Sequence, residues 1–195
     1  MNSYFRFMLR ILLLLLLALP AVAQKYDVKL AQPPVGFTWQ ALPQIKAAML
    51  LPTGWYFKAE GDKGSNTYYL SREEIGEAGE FDMGMSVHVV RKAKAQTRRP
   101  AAEYAELLML RAGHGPGRQP LEEASSVEGP FRKWTVRYRE SAPGAEARIV
   151  FQMALANVKT DTLYLLTFES AEADWPNAFE LGEAMMRELV LDSRR

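Results

Sequence analysis

The apolar positions fall into short runs whose period predicts strands, then helices. Lys46–Leu51 and Trp55–Glu60 read as two strands either side of a Pro52-Thr53-Gly54 turn, and the Tyr-rich stretch Thr67–Ser71 as a third. Met83–Arg91 alternates, with Met83, Met85, Val87 and Val89 on one face and Gly84, Ser86, His88 and Val90 on the other. Phe131–Arg139 sets Trp134, Val136 and Tyr138 against Thr135, Arg137 and Arg139, the pattern of an edge or near-edge strand. Arg148–Ala156 and Thr162–Phe168 are strands of another kind. "TLYLLTF" is apolar on both faces and so calls for a cover above and below. Tyr26–Leu30 is a candidate short strand before Gln32-Pro33-Pro34.

Two segments have helical spacing. Pro100–Arg111 begins with a first-turn proline and places Tyr104, Leu107, Leu108 and Arg111 on one side. In the last segment Trp175, Phe179, Gly182, Met186 and Leu189 form one stripe, widened by Ala178, Leu181 and Met185, with Asp174 as the expected cap. Ala112–Pro120 reads as a mobile loop, and Ser141–Gly144 and Asn157–Asp161 as hairpin connections. The order predicts an α+β fold, an α/β/α sandwich with a central, mainly antiparallel sheet of about six strands flanked by helices.

Composition adds a destination. Arg6 and Arg10, the apolar run Ile11–Leu19, Pro20 and Ala21-Val22-Ala23 have the three parts of a secretory leader. The run is shorter than the roughly 20 residues of a membrane span. Cleavage after Ala23 is expected, leaving an entry segment over 24–36 and a single domain over 37–195, with no transmembrane segment in the mature chain. The destination is the periplasm or the exterior. The 24 basic and 23 acidic side chains nearly balance, which disfavours nucleic acid as a partner. With no cysteine, disulfides, thiol catalysis and Cys–zinc sites are excluded.

Candidate chemistry is sparse. His88 and His114 lack a second histidine at metal-ligand spacing, and the acidic run Glu73, Glu74, Glu77, Glu80 and Asp82 lacks the calcium-loop pattern, so no metal and no cofactor are expected. Gly84-Met85-Ser86-Val87-His88 resembles a nucleophile elbow only in its first three positions. On an extended strand Ser86 and His88 lie about 6.6 Å apart, too far for direct proton transfer. Arg91, Lys92, Lys94, Arg98 and Arg99 precede a helix start, where an anion can dock; a solvated loop is the other reading. Trp55 and Phe57 are expected to share a strand face, with Trp55 a core anchor, while Tyr56 and Tyr69 remain for the other layer or the surface. The candidate ligand or partner residues are therefore Tyr56, Tyr69, His88, Arg98 and Arg99, with no catalytic set.

Pro52-Thr53-Gly54-Trp55, a polar loop, the Tyr-rich strand, the mid-chain helix after a strand ending in basic residues, and "LYLLTFES" followed by a Trp-led helix resemble the PsbP-like fold family. That group includes the photosystem II extrinsic subunit P, the DcrB-type exported proteins and a Ran-binding nuclear relative. The resemblance runs from about Phe37 to Leu191, with Pro52, Gly54, Trp55, Phe168 and Trp175 as signposts. It implies an α/β/α sandwich, a mostly accessory or interaction role, and no common catalytic set. The expected function is an exported, non-catalytic accessory domain that binds a protein or an envelope component. The alternative is a carrier for a small anionic or apolar ligand, in a pocket between sheet and helix reached by Arg98 or Arg99. A hydrolase using Ser86 stands third.

Overall fold

The computed structural model describes residues 30–61, 64–77 and 79–191. The expected leader, and all of the 26–30 strand but Leu30, lie outside the described residues. The unit Ala31–Arg195 carries nine strands: β1 (Phe37–Leu42), β2 (Ala47–Pro52), β3 (Tyr56–Gly61), β4 (Ser65–Ser71), β5 (Gly84–Val90), β6 (Arg118–Glu128), β7 (Phe131–Glu140), β8 (Arg148–Asn157) and β9 (Thr162–Ala171). Its helices are α1 (Ala93–Thr97), α2 (Ala101–Ala112) and α3 (Trp175–Arg187). No helix among the described residues is long and apolar enough to cross a membrane.

Seven strands form one sheet in the order β3-β4-β5-β9-β8-β7-β6, antiparallel throughout. β1 and β2 make a separate two-stranded ribbon. The doubly apolar β9 sits in the middle, as its pattern requires. Tyr164, Leu166 and Phe168 face the core under α3, while Leu163 and Leu165 face the core under α2. β7 lies one strand in from the edge.

The sheet therefore has one strand more than expected, besides the ribbon. The extra strand is β6, in a region whose start was read as loop. Its sequence is polar, it is exposed along nearly its whole length, and its pairing with β7 is the only thing that makes it a strand. β1 and α1 were likewise not expected. α1 is a single short turn-and-a-half inside the basic segment taken for a loop.

Each helix seats on small residues. α2 buries Ala101, Ala105, Met109 and Ala112 rather than the Tyr104, Leu107, Leu108, Arg111 stripe; Tyr104 and Leu108 only flank the core. Alanine lets the helix backbone come close to the sheet, and the bulkier side chains splay to its sides. α3 behaves alike: Ala178, Gly182 and Met185 are buried, and Trp175 and Phe179 wrap the margin. Trp175 stacks on Phe179 at 4.6 Å, and both rings meet Phe168 at 6.0 and 6.2 Å. Asp174 occupies the cap position, but its side chain makes no cap hydrogen bond and lies 3.7 Å from Arg72 instead.

The Pro52-Thr53-Gly54 corner hands the chain from the ribbon to the main sheet. Gly54 takes φ 85°, which favours glycine. The Trp55 backbone N–H donates to the Pro52 carbonyl at 3.1 Å, and the indole packs, partly buried, against the α3 core.

A Cβ on Gly182 would lie 2.7 Å from the Phe168 ring, whose atoms are fully buried. Gly182→Ala is expected to destabilise the protein by roughly 1–2 kcal/mol, because overpacking outweighs the gain in helix propensity of about 1 kcal/mol. The urea midpoint reads this directly, and a raised midpoint would contradict the packing.

Candidate functional site

Strand register brings three of the expected residues onto one face. Tyr56 opposes Ser71, Lys58 opposes Tyr69, Tyr69 opposes Ser86, and Thr67 opposes His88. Across the next pairs Ser86 opposes Thr167, which opposes Gln152. Directly opposed residues share a face, so these side chains all lie on the α2 side of the sheet. α2 packs mainly on β7, β8 and β9. The neighbouring strip, with Ser86, His88, Gln152, Thr167 and Glu169, is left half-buried and polar.

The acidic segment 72–83 forms the strip's other border. Lys58 Nζ donates to the carbonyls of Gly76 and Glu77 at 3.0 and 2.9 Å, and Arg148 Nη2 to those of Asp82 and Phe81 at 2.7 and 3.4 Å. The Met83 N–H reaches Glu73 Oε2 at 3.1 Å. Gly79, at φ 83°, crosses directly over Tyr69; a Cβ there would lie 2.6 Å from the ring. Burial, together with Glu60, raises the Tyr69 phenol above its ordinary value, against the pull of Lys58. Tyr56 remains 48% exposed at the start of β3. The acidic side chains do not converge: no group of three metal-ligating residues occurs among the described residues.

His88 is held by hydroxyls. Its Nδ1 lies 2.9 Å from Thr67 Oγ1 and its Nε2 3.3 Å from Ser65 Oγ. Burial lowers its pKa. With both ring nitrogens engaged on β4, the imidazole is not aligned on Ser86, and the two stay separated by their strand spacing.

Sequence reasoning missed a row of charge at the lower end of this face. Glu169 on β9, Arg148 on β8, Glu140 on β7 and Arg118 on β6 alternate in sign across four strands. Arg148 Nε lies 3.6 Å from Glu169 Oε2, and Arg118 Nε 2.7 Å from Glu140 Oε1. The Arg118 guanidinium also covers the Tyr138 ring at 4.9 Å. Burial raises the Glu169 carboxyl, with Arg148 opposing and Glu140 adding to the rise. Burial likewise pushes the Tyr138 phenol up to about 12, against Arg118 and with Glu140 and Glu169. The two ion pairs join residues 21 and 22 positions apart, so only register could reveal them.

Arg98 and Arg99 are exposed on the turn between α1 and α2. The helix start beside them is already filled. Asp161, from the β8–β9 turn, accepts from the Ala101 N–H through Oδ1 and from the Lys94 N–H through Oδ2, both at 2.8 Å. The chain's own carboxylate thus occupies the helix start where an external anion could dock.

Among the described residues, hollows open on the surface elsewhere. One of about 320 Å³ lies beside Trp55, Met83, Ala178 and Leu181. One of about 450 Å³ lies beside Phe131, Met153, Leu155, Met186, Leu189 and Leu191. One of about 240 Å³ lies between α2 and β6.

Two substitutions test this geometry. The depressed His88 pKa means that the folded state binds fewer protons than the unfolded chain. Stability is therefore complete above about pH 6.5 and falls as pH drops below it. Unfolding midpoints between pH 7.5 and 5.5 are expected to fall less in His88→Gln than in the wild type. Asp161→Ala is expected to lose about 1–2 kcal/mol through the lost capping bonds, and more through the φ of 52° at this position. Asp161→Asn, which keeps an acceptor and tolerates that backbone, should lose distinctly less; equal losses would dismiss the capping role.

No protein-family model and no curated protein matches the chain. Solved structures do. The solution structure of cyanobacterial PsbP (CyanoP) from Synechocystis sp. PCC 6803 aligns with a TM-score of 0.54 at 14% identity, covering 85% of this chain and 98% of that one. LpqN of Mycobacterium tuberculosis aligns with a TM-score of 0.52 at 12% identity, covering 80% and 90%. The Saccharomyces cerevisiae Ran-binding protein Mog1p aligns at 0.48 and 13% identity, covering 80% and 95%. The antiparallel sheet, its helical covers on both faces and the alignments with CyanoP and LpqN agree on one architecture: the chain has the PsbP-like fold.

Proposed function

We propose that the protein is an exported, non-catalytic binding domain whose partner, another protein or an envelope component, docks on the polar strip between α2 and the 72–83 loop. The observation that carries this reading is the strip itself. Ser86, Gln152, Thr167 and Glu169 present hydroxyl, amide and carboxyl groups, half-exposed, on a rigid sheet. His88 hydrogen-bonds the Thr67 and Ser65 hydroxyls of β4 and is not directed at Ser86. Such a surface supports the binding of a polar partner.

Export rests on the leader pattern of Met1–Ala23. An envelope role accords with LpqN, a protein of the same fold described as involved in cell envelope biogenesis. The small-ligand carrier has less support. Tyr68, Leu70, Met85 and Val87 fill the core behind the strip, and the hollows are open surface features.

A photo-crosslinking amino acid placed at Ser86 or Gln152, in cells that export the protein, is expected to yield a discrete adduct. The same group at Val158, exposed on the β8–β9 turn, should yield none. Absence of an adduct from both strip positions, or an equal yield from Val158, would remove the strip as the docking surface.

A further inference from the structure

β6 is one of the two outer strands of the sheet. It hydrogen-bonds to β7 on one side, its other edge has no strand beside it among the described residues, and Gln119–Glu128 are exposed. The register shift between Pro120 and Glu122 disturbs one end, so the regular edge runs from Glu122 to Glu128. A groove of about 240 Å³ runs alongside, floored by Trp134, Val136 and Met109, with Glu106 of α2 and Glu123 of β6 on its lips. Leu110, 61% exposed, continues the apolar wall. No lysine or arginine lines the groove. Glu106 has no ion-pair partner among the described residues; Glu123 Oε1 lies 3.5 Å from His114 Nε2.

We propose that β6 and this groove form a docking site for an extended, basic segment of a partner protein. The segment adds to β6 as an eighth strand and places one arginine or lysine side chain in the groove. The free edge offers main-chain hydrogen bonds, and the neighbouring pocket selects the alternate side chain. A partly exposed indole between two carboxylates suits a cation, through its ring face and through charge-assisted hydrogen bonds. A second copy of this chain is a poor occupant. Antiparallel self-pairing centred on Ser125 would set Glu122 opposite Glu128 at both ends, and directly opposed like charges are destabilising. The site lies on the other flank of α2 from the polar strip and does not depend on what binds there.

Displayed random octapeptides, panned on the whole protein, provide the test. Selection is expected to enrich β-branched sequences with one arginine or lysine at a fixed position. The enriched peptide should bind about tenfold more weakly when that residue becomes glutamine, or when the protein carries Glu106→Gln and Glu123→Gln. Both are surface substitutions, and an unchanged unfolding midpoint checks that the variant is folded. N-methylation of alternate peptide amides should abolish binding, and amide shifts on titration should map to β6. No enrichment, affinity indifferent to the two carboxylates, or shifts elsewhere would overturn the proposal. So would a concentration-dependent dimer formed through β6.

Discussion

The structure depends on the burial of β9 from both sides. Its side chains alternate between two cores, with Tyr164, Leu166 and Phe168 in one and Leu163 and Leu165 in the other. Neither face can be left to water, so the chain must supply a helical cover above and below. β9 also joins two antiparallel runs, β3-β4-β5 and β6-β7-β8-β9, through its pairing with β5. Without that seam the sheet would fall into two smaller ones, each with further unpaired edges. The floor of the polar strip straddles the same seam: Ser86 comes from β5 and Thr167 from β9, directly opposed.

The two covers differ, and the difference creates the candidate site. On the α3 side the ribbon β1–β2 adds to the helix, and bulky aromatics close the layer around Phe168. On the α2 side one alanine-lined helix sits close over β7, β8 and β9, its main contacts with the sheet. The uncovered half of that face can remain only if its side chains are polar and their hydrogen bonds are met, since an unsatisfied buried polar group is costly. The Thr67, Ser65 and His88 contacts and the Gln152–Thr167 bond, at 3.3 Å, meet them. Alternation along β5 thus reflects two chemistries: Met85, Val87 and Val89 belong to the filled core, and Ser86 and His88 to the open strip.

How much of this was legible follows from what each feature depends on. β5, β7, β8, β9 and α3 have strong periodicity, and the doubly apolar β9 announced both layers. The Pro52–Trp55 corner was readable because proline, glycine and tryptophan each have few uses there. β6 was not readable: an exposed edge strand with no buried face has no hydrophobic period to show. The α2 face was misread because its contacts are alanines, which carry little hydrophobic signal but decide how close a helix can come. Tyr69 and His88 were readable as candidates on alternating strands, whereas the charge row of Glu169, Arg148, Glu140 and Arg118 is created by register alone. Asp161 capping α2 across 60 residues is a tertiary event with no local signature.

The way the acidic loop is fastened bears on what the strip can meet. Lys58 and Arg148 hold it mainly through backbone carbonyls at Gly76, Glu77, Phe81 and Asp82. Had these cations been spent on the loop's carboxylates, its charge would be neutralised internally. Instead Glu74, Glu77 and Asp82 stay exposed along the rim, while Glu73 turns back to the Met83 N–H and Arg72. The loop is therefore fixed in place without losing its field and gives the strip a negative border. Arg98 and Arg99 are exposed on the α1–α2 turn, where Asp161 accepts from the Lys94 and Ala101 N–H groups, so the two arginines are left as surface charge. For the proposed partner, the negative rim of the loop would favour an approach that turns its positive side toward that border.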